Sequence, residues 1–158
     1  MDFRIVGLPS FHVLGLARTG LAADAPGWVP KLWQETFCRR SELAGLSLGE
    51  CWGLMGMPDA PLAAWRESGS YLAGWEVPRE TAIPNEDWGL WTVPASAWIR
   101  VAVTAAEIPS GHEFLVGWLT EQAQWRAAGA CHEHYPATFR DPETDRLHLC
   151  LPLALQEA

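Results

Sequence analysis

A spacing of 85 residues recurs along this chain and narrows its possible folds more than any other feature. Leu8, Pro9 and Ser10 precede an apolar stretch from Phe11 to Leu16, and Val93, Pro94 and Ala95 precede another from Ala97 to Val103. Pro9 and Pro94 stand 85 positions apart, as do Trp33 and Trp118, each tryptophan on a segment with helical patterning. Matched landmarks at a fixed offset indicate a duplicated unit. With 158 residues the chain suits one domain with its own core. The two repeats then occupy roughly residues 1–78 and 88–155 of a single domain spanning 1–158.

Each repeat reads as strand, helix, strand, strand. The second helix is expected over Gly111 to Arg126. Ser110 and Glu113 form a capping box, Phe114, Leu115, Trp118, Leu119, Gln122 and Trp125 follow helical spacing, and Gly129 ends it. The first helix is expected over Pro30 to Arg40, with Pro30 in its first turn and Val29, Leu32, Trp33, Thr36 and Phe37 on one face. Strand patterns follow at Cys51–Met57 and Gly69–Val77, then at Cys131–Tyr135 and Arg146–Leu151, the last pair joined by a turn at Asp141–Asp145. The polar, proline-bearing segment Pro78–Asp87 connects the units. The expected class is therefore α+β: duplicated β-α-β-β units forming antiparallel sheet, with a cleft between pseudo-symmetric halves.

Charge and composition narrow the function. Against 11 basic residues stand 19 acidic ones, a net charge of -8, which excludes the basic footprint of a nucleic-acid binder. It also disfavours an anionic membrane surface, and no apolar run is long enough to span a bilayer. The start, Met1-Asp2-Phe3-Arg4, has no basic segment ahead of a long apolar one, so no signal peptide is expected. The reading is cytoplasmic, with Cys38, Cys51, Cys131 and Cys150 reduced and mostly buried. Ten tryptophans against two tyrosines supply apolar surface whose faces attract cations.

From Tyr71 to Leu153 the order of short motifs resembles the gyrase-inhibitor-like (GyrI-like) small-molecule-binding domain, the effector-binding half of many AraC-type and MerR-type transcription regulators. The residues that carry the resemblance are Tyr71-Leu72-Ala73-Gly74-Trp75-Glu76-Val77, Val93-Pro94-Ala95, Trp118-Leu119, His132-Glu133-His134-Tyr135 and Leu149-Cys150-Leu151-Pro152-Leu153. The chain departs from the family pattern at Ser96, often glycine there, and at Trp98, often tyrosine. The first half matches only loosely. With no helix-turn-helix segment in the sequence, the resemblance implies a stand-alone effector-binding domain that acts on DNA only indirectly.

The resemblance places Glu133 at the floor of a ligand cleft. A carboxylate among aromatic rings binds a lipophilic cation through charge pairing and cation–π attraction, and burial raises its pKa. Tyr71, Ala73 and Trp75 share one face of their strand, because side chains alternate, with Leu72, Gly74 and Glu76 on the other. Tyr71 is the second candidate. Trp33 and Trp118, at equivalent places on the two helices, would flank the cleft; Trp98 and Trp52 complete the set. Each of these aromatic residues also has a plain reading as core.

The alternatives concern the same residues. Cys131, His132 and His134, with His148 and Cys150 on a partner strand, invite a zinc reading, but no familiar ligand spacing is present, so no metal is expected. His12 and His112 read as surface or strand-edge positions. Neither G-x-S-x-G, G-x-G-x-x-G nor a P-loop occurs, so the sequence implies no cofactor. Some members of the resembled family hydrolyse cyclopropane-containing natural products. By that analogy Glu133 would act on water and Tyr71 would donate to a developing oxyanion. The leading reading is a small-molecule (effector or drug) binding protein for a flat, amphipathic, cationic aromatic ligand. A hydrolase in the same cleft comes second. A protein-interaction module of gyrase-inhibitor type comes third. The sequence assigns no oligomeric state.

Overall fold

The computed structural model describes residues 1–157. Its elements run β1 (Phe3–Leu8), β2 (Phe11–Leu21), α1 (Ala25–Cys38), β3 (Cys51–Gly56), β4 (Ser68–Val77), β5 (Gly89–Val93), β6 (Ser96–Val103), α2 (Ile108–Thr120), β7 (Trp125–Ala127), β8 (His132–Tyr135) and β9 (Leu147–Leu155). All strand pairings are antiparallel, in the order β1-β6-β9-β8-β3-β4-β2-β5, with β7 pairing the far end of β9. The fold is α+β. The two strand-helix-strand-strand units meet at β3 and β8, through only three residue pairs: Cys51 with Tyr135, Trp52 with His134, and Gly53 with Glu133. Each unit also donates a leading strand to the other, since β1 pairs β6 and β5 pairs β2. Neither leading strand was read from the sequence.

The sheet curls strongly. Four strands separate β2 from β6, so a flat sheet would hold them about 24 Å apart. Yet the Phe11 and Trp98 rings lie 6.5 Å apart across the concave face. Gly15 pairs with Gly74 on one side and Gly89 on the other. A Cβ at Gly15 would collide with the Ala73 carbonyl, so this tight crossing needs glycine.

Both helices lie on the convex face. There α1 packs on β2 and β4, and α2 on β6 and β9. Leu32 of α1 joins Leu14, Leu16, Tyr71 and Trp75, while Leu115 of α2 joins Val101, Val103, Leu147 and Leu149. Full burial of one such side chain stabilises by about 1.5–3 kcal/mol. The concave face holds a separate core of Phe11, Val13, Trp52, Leu54, Leu72, Val93, Trp98 and Cys150.

Several local expectations are corrected. The first helix starts at Ala25, so Pro26 takes the N-terminal turn and Pro30 stands inside the helix. The second runs from Ile108 to Thr120, and the capping box is Thr104 with Glu107 on the 3-10 turn Ala105–Glu107 that leads into it, six residues before the expected Ser110 and Glu113. Ser110 instead donates to the Glu107 carbonyl at 3.0 Å. Trp125 is on β7, paired with Leu155, and Gly129 does not end the helix. Helical periodicity continued past Thr120 in the sequence, but tertiary pairing with β9 turned Trp125 into a strand residue. The four cysteines are unpaired, but only Cys150 is fully buried, and Cys38 is exposed. His112 is half-buried on α2 rather than at a strand edge. No helix among the described residues is long and apolar enough to cross a membrane.

Candidate functional site

The central strands β3 and β8 lie between the two helices. Alternation on β8 sends Glu133 and Tyr135 to the convex, helix-bearing face and His132 and His134 to the concave one. Glu133 lies opposite Gly53, where the missing side chain matters: a Cβ at Gly53 would overlap the Tyr71 hydroxyl and stand 3.1 Å from Glu133 Oε1. Tyr71 enters through that gap from β4.

A one-way hydrogen-bond chain results. Trp33 Nε1 donates to the Tyr71 hydroxyl at 3.0 Å, and Tyr71 donates to Glu133 Oε1 at 2.5 Å. Tyr135 donates to the same oxygen at 3.2 Å. The rings pack edge to face: Trp33 lies 5.4 Å from Tyr135 and 6.2 Å from Tyr71, and Tyr135 lies 5.1 Å from Phe139. Glu133 is 7% exposed and makes no salt bridge among the described residues. Its acid group is pushed above the usual carboxylate range by burial, against the opposing pull of the two tyrosine hydrogen bonds. Both phenols are pushed up as well, by burial first and then by the charge of Glu133, so they remain donors. The arrangement is a buried carboxyl group surrounded by donors and π-faces, with no positively charged side chain paired to it among the described residues.

Glu133, Tyr71 and Trp33 therefore come together. The other three candidates do not join them. Trp52 and Trp98 point into the concave core, against Phe11 and the histidines. Trp118 packs over the α2 core with its ring 6.1 Å from Phe3, and it has no ring contact with Trp33, Tyr71 or Tyr135 among the described residues. The two helical tryptophans are thus not symmetric about Glu133. Tyr135 and Gly53 were missed. Tyr135 could have been found, since it stands two residues after Glu133 and must share its face.

The pairings His132–Cys150 and His134–His148 place the metal candidates side by side on the concave face. His132 is buried there, accepts the Met55 amide hydrogen at Nδ1 (3.0 Å) and has its pKa pulled down to about 3 by burial. His148 Nδ1 lies 2.9 Å from an Arg100 guanidinium nitrogen, a cation where a metal ion would need none. No three His, Cys, Asp or Glu side chains among the described residues are grouped to hold a metal ion. A broad cleft of about 930 Å³ opens elsewhere, beside His12, Leu48, Glu76 and Thr92.

Solved structures share this fold. SAV2435 bound to tetraphenylphosphonium superimposes with a TM-score of 0.74 at 14% identity, covering 98% of this chain and 94% of that one. The C-terminal domain of EcmrR gives 0.67 at 13% identity, covering 97% of both chains. A hydrolase from Listeria innocua gives 0.58 at 12% identity, covering 97% and 92%. No family model matches the chain, and no curated protein matches it in sequence.

Proposed function

We propose that this protein binds an amphipathic, aromatic organic cation over Glu133, with Tyr71 and Trp33 as partners and Tyr135 and Phe139 as the cap. One observation carries this reading. Glu133 is a buried carboxyl group that accepts from neutral donors and makes no ion pair among the described residues. Such a group costs free energy when ionised unless a ligand brings the missing charge. The rings above it add apolar contact and cation–π attraction. The likeness in fold to a protein solved with tetraphenylphosphonium supports the ligand class. Trp52, Trp98 and Trp118 have structural roles in this reading. The rings of Trp33 and Tyr135 pack edge to face beside the carboxyl group, so binding requires the Tyr135–Phe139 cap to swing aside.

The test is quenching of tryptophan fluorescence by tetraphenylphosphonium, with triphenylphosphine oxide as the neutral control. Affinity should rise with pH through the raised pKa of Glu133, because the ionised form binds. Glu133→Gln should weaken binding about tenfold or more, equivalent to ~1.4 kcal/mol. Equal binding by both proteins, or equal binding of the neutral control, would overturn the reading.

The 2.5 Å Tyr71–Glu133 contact and the Listeria innocua neighbour favour one second reading, hydrolysis in the same place. It predicts product formation from a strained aromatic substrate, abolished by Glu133→Gln.

A further inference from the structure

On the concave face, directly behind Glu133, four side chains form a second hydrogen-bond chain. An Arg100 guanidinium nitrogen (β6) lies 2.9 Å from His148 Nδ1 (β9), and His148 Nδ1 lies 3.2 Å from His134 Nδ1 (β8). The two imidazole planes are within 13° of each other with centroids 5.5 Å apart, the geometry of rings meeting edge to edge through nitrogen. His134 Nε2 lies 3.2 Å from Glu50 Oε1, just ahead of β3. The other carboxylate oxygen, Oε2, accepts the Ala137 amide hydrogen at 2.8 Å.

Donor chemistry assigns the protons. Imidazole Nδ1 has one lone pair, and the in-line ring geometry leaves one hydrogen between the two Nδ1 atoms. The Arg100 guanidinium, which carries only hydrogens, lies against His148 Nδ1 and disfavours a hydrogen there, so His134 Nδ1 carries it and donates to His148. The His134–Glu50 contact therefore depends on one further proton: with it, imidazolium faces carboxylate; without it, a ring lone pair faces a carboxylate oxygen. Ala137, held by Glu50, belongs to the turn closed by the Phe139 amide on the Pro136 carbonyl (2.8 Å). Phe139 packs on Tyr135, and Tyr135 donates to Glu133.

We infer that Glu50 and His134 form a proton-dependent latch that positions the Tyr135–Phe139 cap over Glu133. The latch closes on acidification and loosens as the pH rises towards neutrality. Its bearing on ligand entry rests on the function proposed above; the latch itself does not. The charged and titratable groups facing it are His148 and Arg100, Arg4 behind His148, and Glu76 beside Glu50. Burial holds His134 below the ordinary histidine value, with Glu50 pulling the other way, so its proton leaves before neutrality. His148 is held down to about 4, by burial first and then by Arg100, and stays an acceptor over the working range.

The test is the exchange protection of the Ala137 amide in ligand-free protein, followed by NMR from pH 5 to 8 and corrected for intrinsic exchange. Protection in wild type should fall about tenfold as the pH rises. In Glu50→Gln the amide NH₂ can donate to neutral His134 while its carbonyl keeps Ala137, so protection should be high and flat. Glu50→Ala should be low and flat, with the buried Leu149 amide reporting an intact fold. A flat wild-type profile would overturn the latch, as would a Glu50→Gln profile that follows wild type. Stopped-flow mixing with tetraphenylphosphonium then asks whether Glu50→Ala admits it several-fold faster. If the probe binds neither protein, the functional reading fails while the exchange result stands.

Discussion

The two faces of β8 use four consecutive residues in opposite ways. On the convex face Glu133 and Tyr135 form a buried acid site whose carboxylate is pushed up in pKa. On the concave face His132 and His134 lie in a buried basic row, where burial pulls both down. Desolvation disfavours the charged form in both places, so one physical cause moves acids and bases in opposite directions. The faces differ in partners. The concave row includes its own carboxylate, Glu50, and a permanent cation, Arg100. The convex site sets a carboxyl group among neutral donors, with no positively charged side chain bonded to it among the described residues.

The comparison can be broken most forcibly at Gly53. Gly53→Ala would drive a methyl group into the Tyr71 hydroxyl and strip Glu133 of its nearest donor, while leaving the concave face untouched. The expected cost is about 1–3 kcal/mol of stability with loss of cation binding, measured by denaturant unfolding and by titration. If Gly53→Ala bound tetraphenylphosphonium like wild type, the tyrosine would not be part of the site.

The pH dependence of stability separates the faces next. A carboxylate with a raised folded pKa loses stability as pH climbs from its unfolded value through the folded one. A histidine with a depressed folded pKa loses stability as pH falls from about 6.5 towards its folded value. Glu133→Gln should therefore remove part of the loss on the rising side. His132→Asn, whose side-chain oxygen can replace Nδ1 as acceptor for Met55, should flatten the loss between about pH 6.5 and about pH 3. The His132 effect should be on the order of a few kcal/mol and the Glu133 effect opposite in direction, both read as unfolding free energy against pH. Swapped limbs would contradict the assignment of faces.

The smallest effect is expected at Trp52 and Trp98. Both indole N–H groups are buried without a hydrogen-bond partner among the described residues. Trp52→Phe removes an unpaired donor along with some packing. It should change stability by about 1 kcal/mol or less and leave cation binding unchanged. A large loss of binding would move Trp52 into the site.

How much of this was legible from residues alone depends on whether the signal is local. Turn residues and apolar periodicity marked both helices and the strands flanking them. They missed β1 and β5, whose exchange between units only a folded sheet defines. Ser110 and Glu113 satisfied the capping pattern, yet Thr104 and Glu107 satisfied it too, and the chain used the earlier pair. At the site, the 85-residue repeat made Trp33 and Trp118 look equivalent. The structure sets only Trp33 beside Tyr71.

What the sequence by itself determined is the strand-helix-strand-strand core of each half and, through period-two alternation, which neighbours share a face: Tyr71 with Trp75, and Glu133 with Tyr135. Those follow from backbone geometry within one strand. Tertiary structure decided which strands meet and in what register. It set Glu133 opposite Gly53, passed Tyr71 through the space that glycine leaves, and curled the sheet until Trp98 met Phe11. These contacts join residues far apart in the chain, and a slip of one residue in the β3–β8 pairing would reverse the face of every side chain on it.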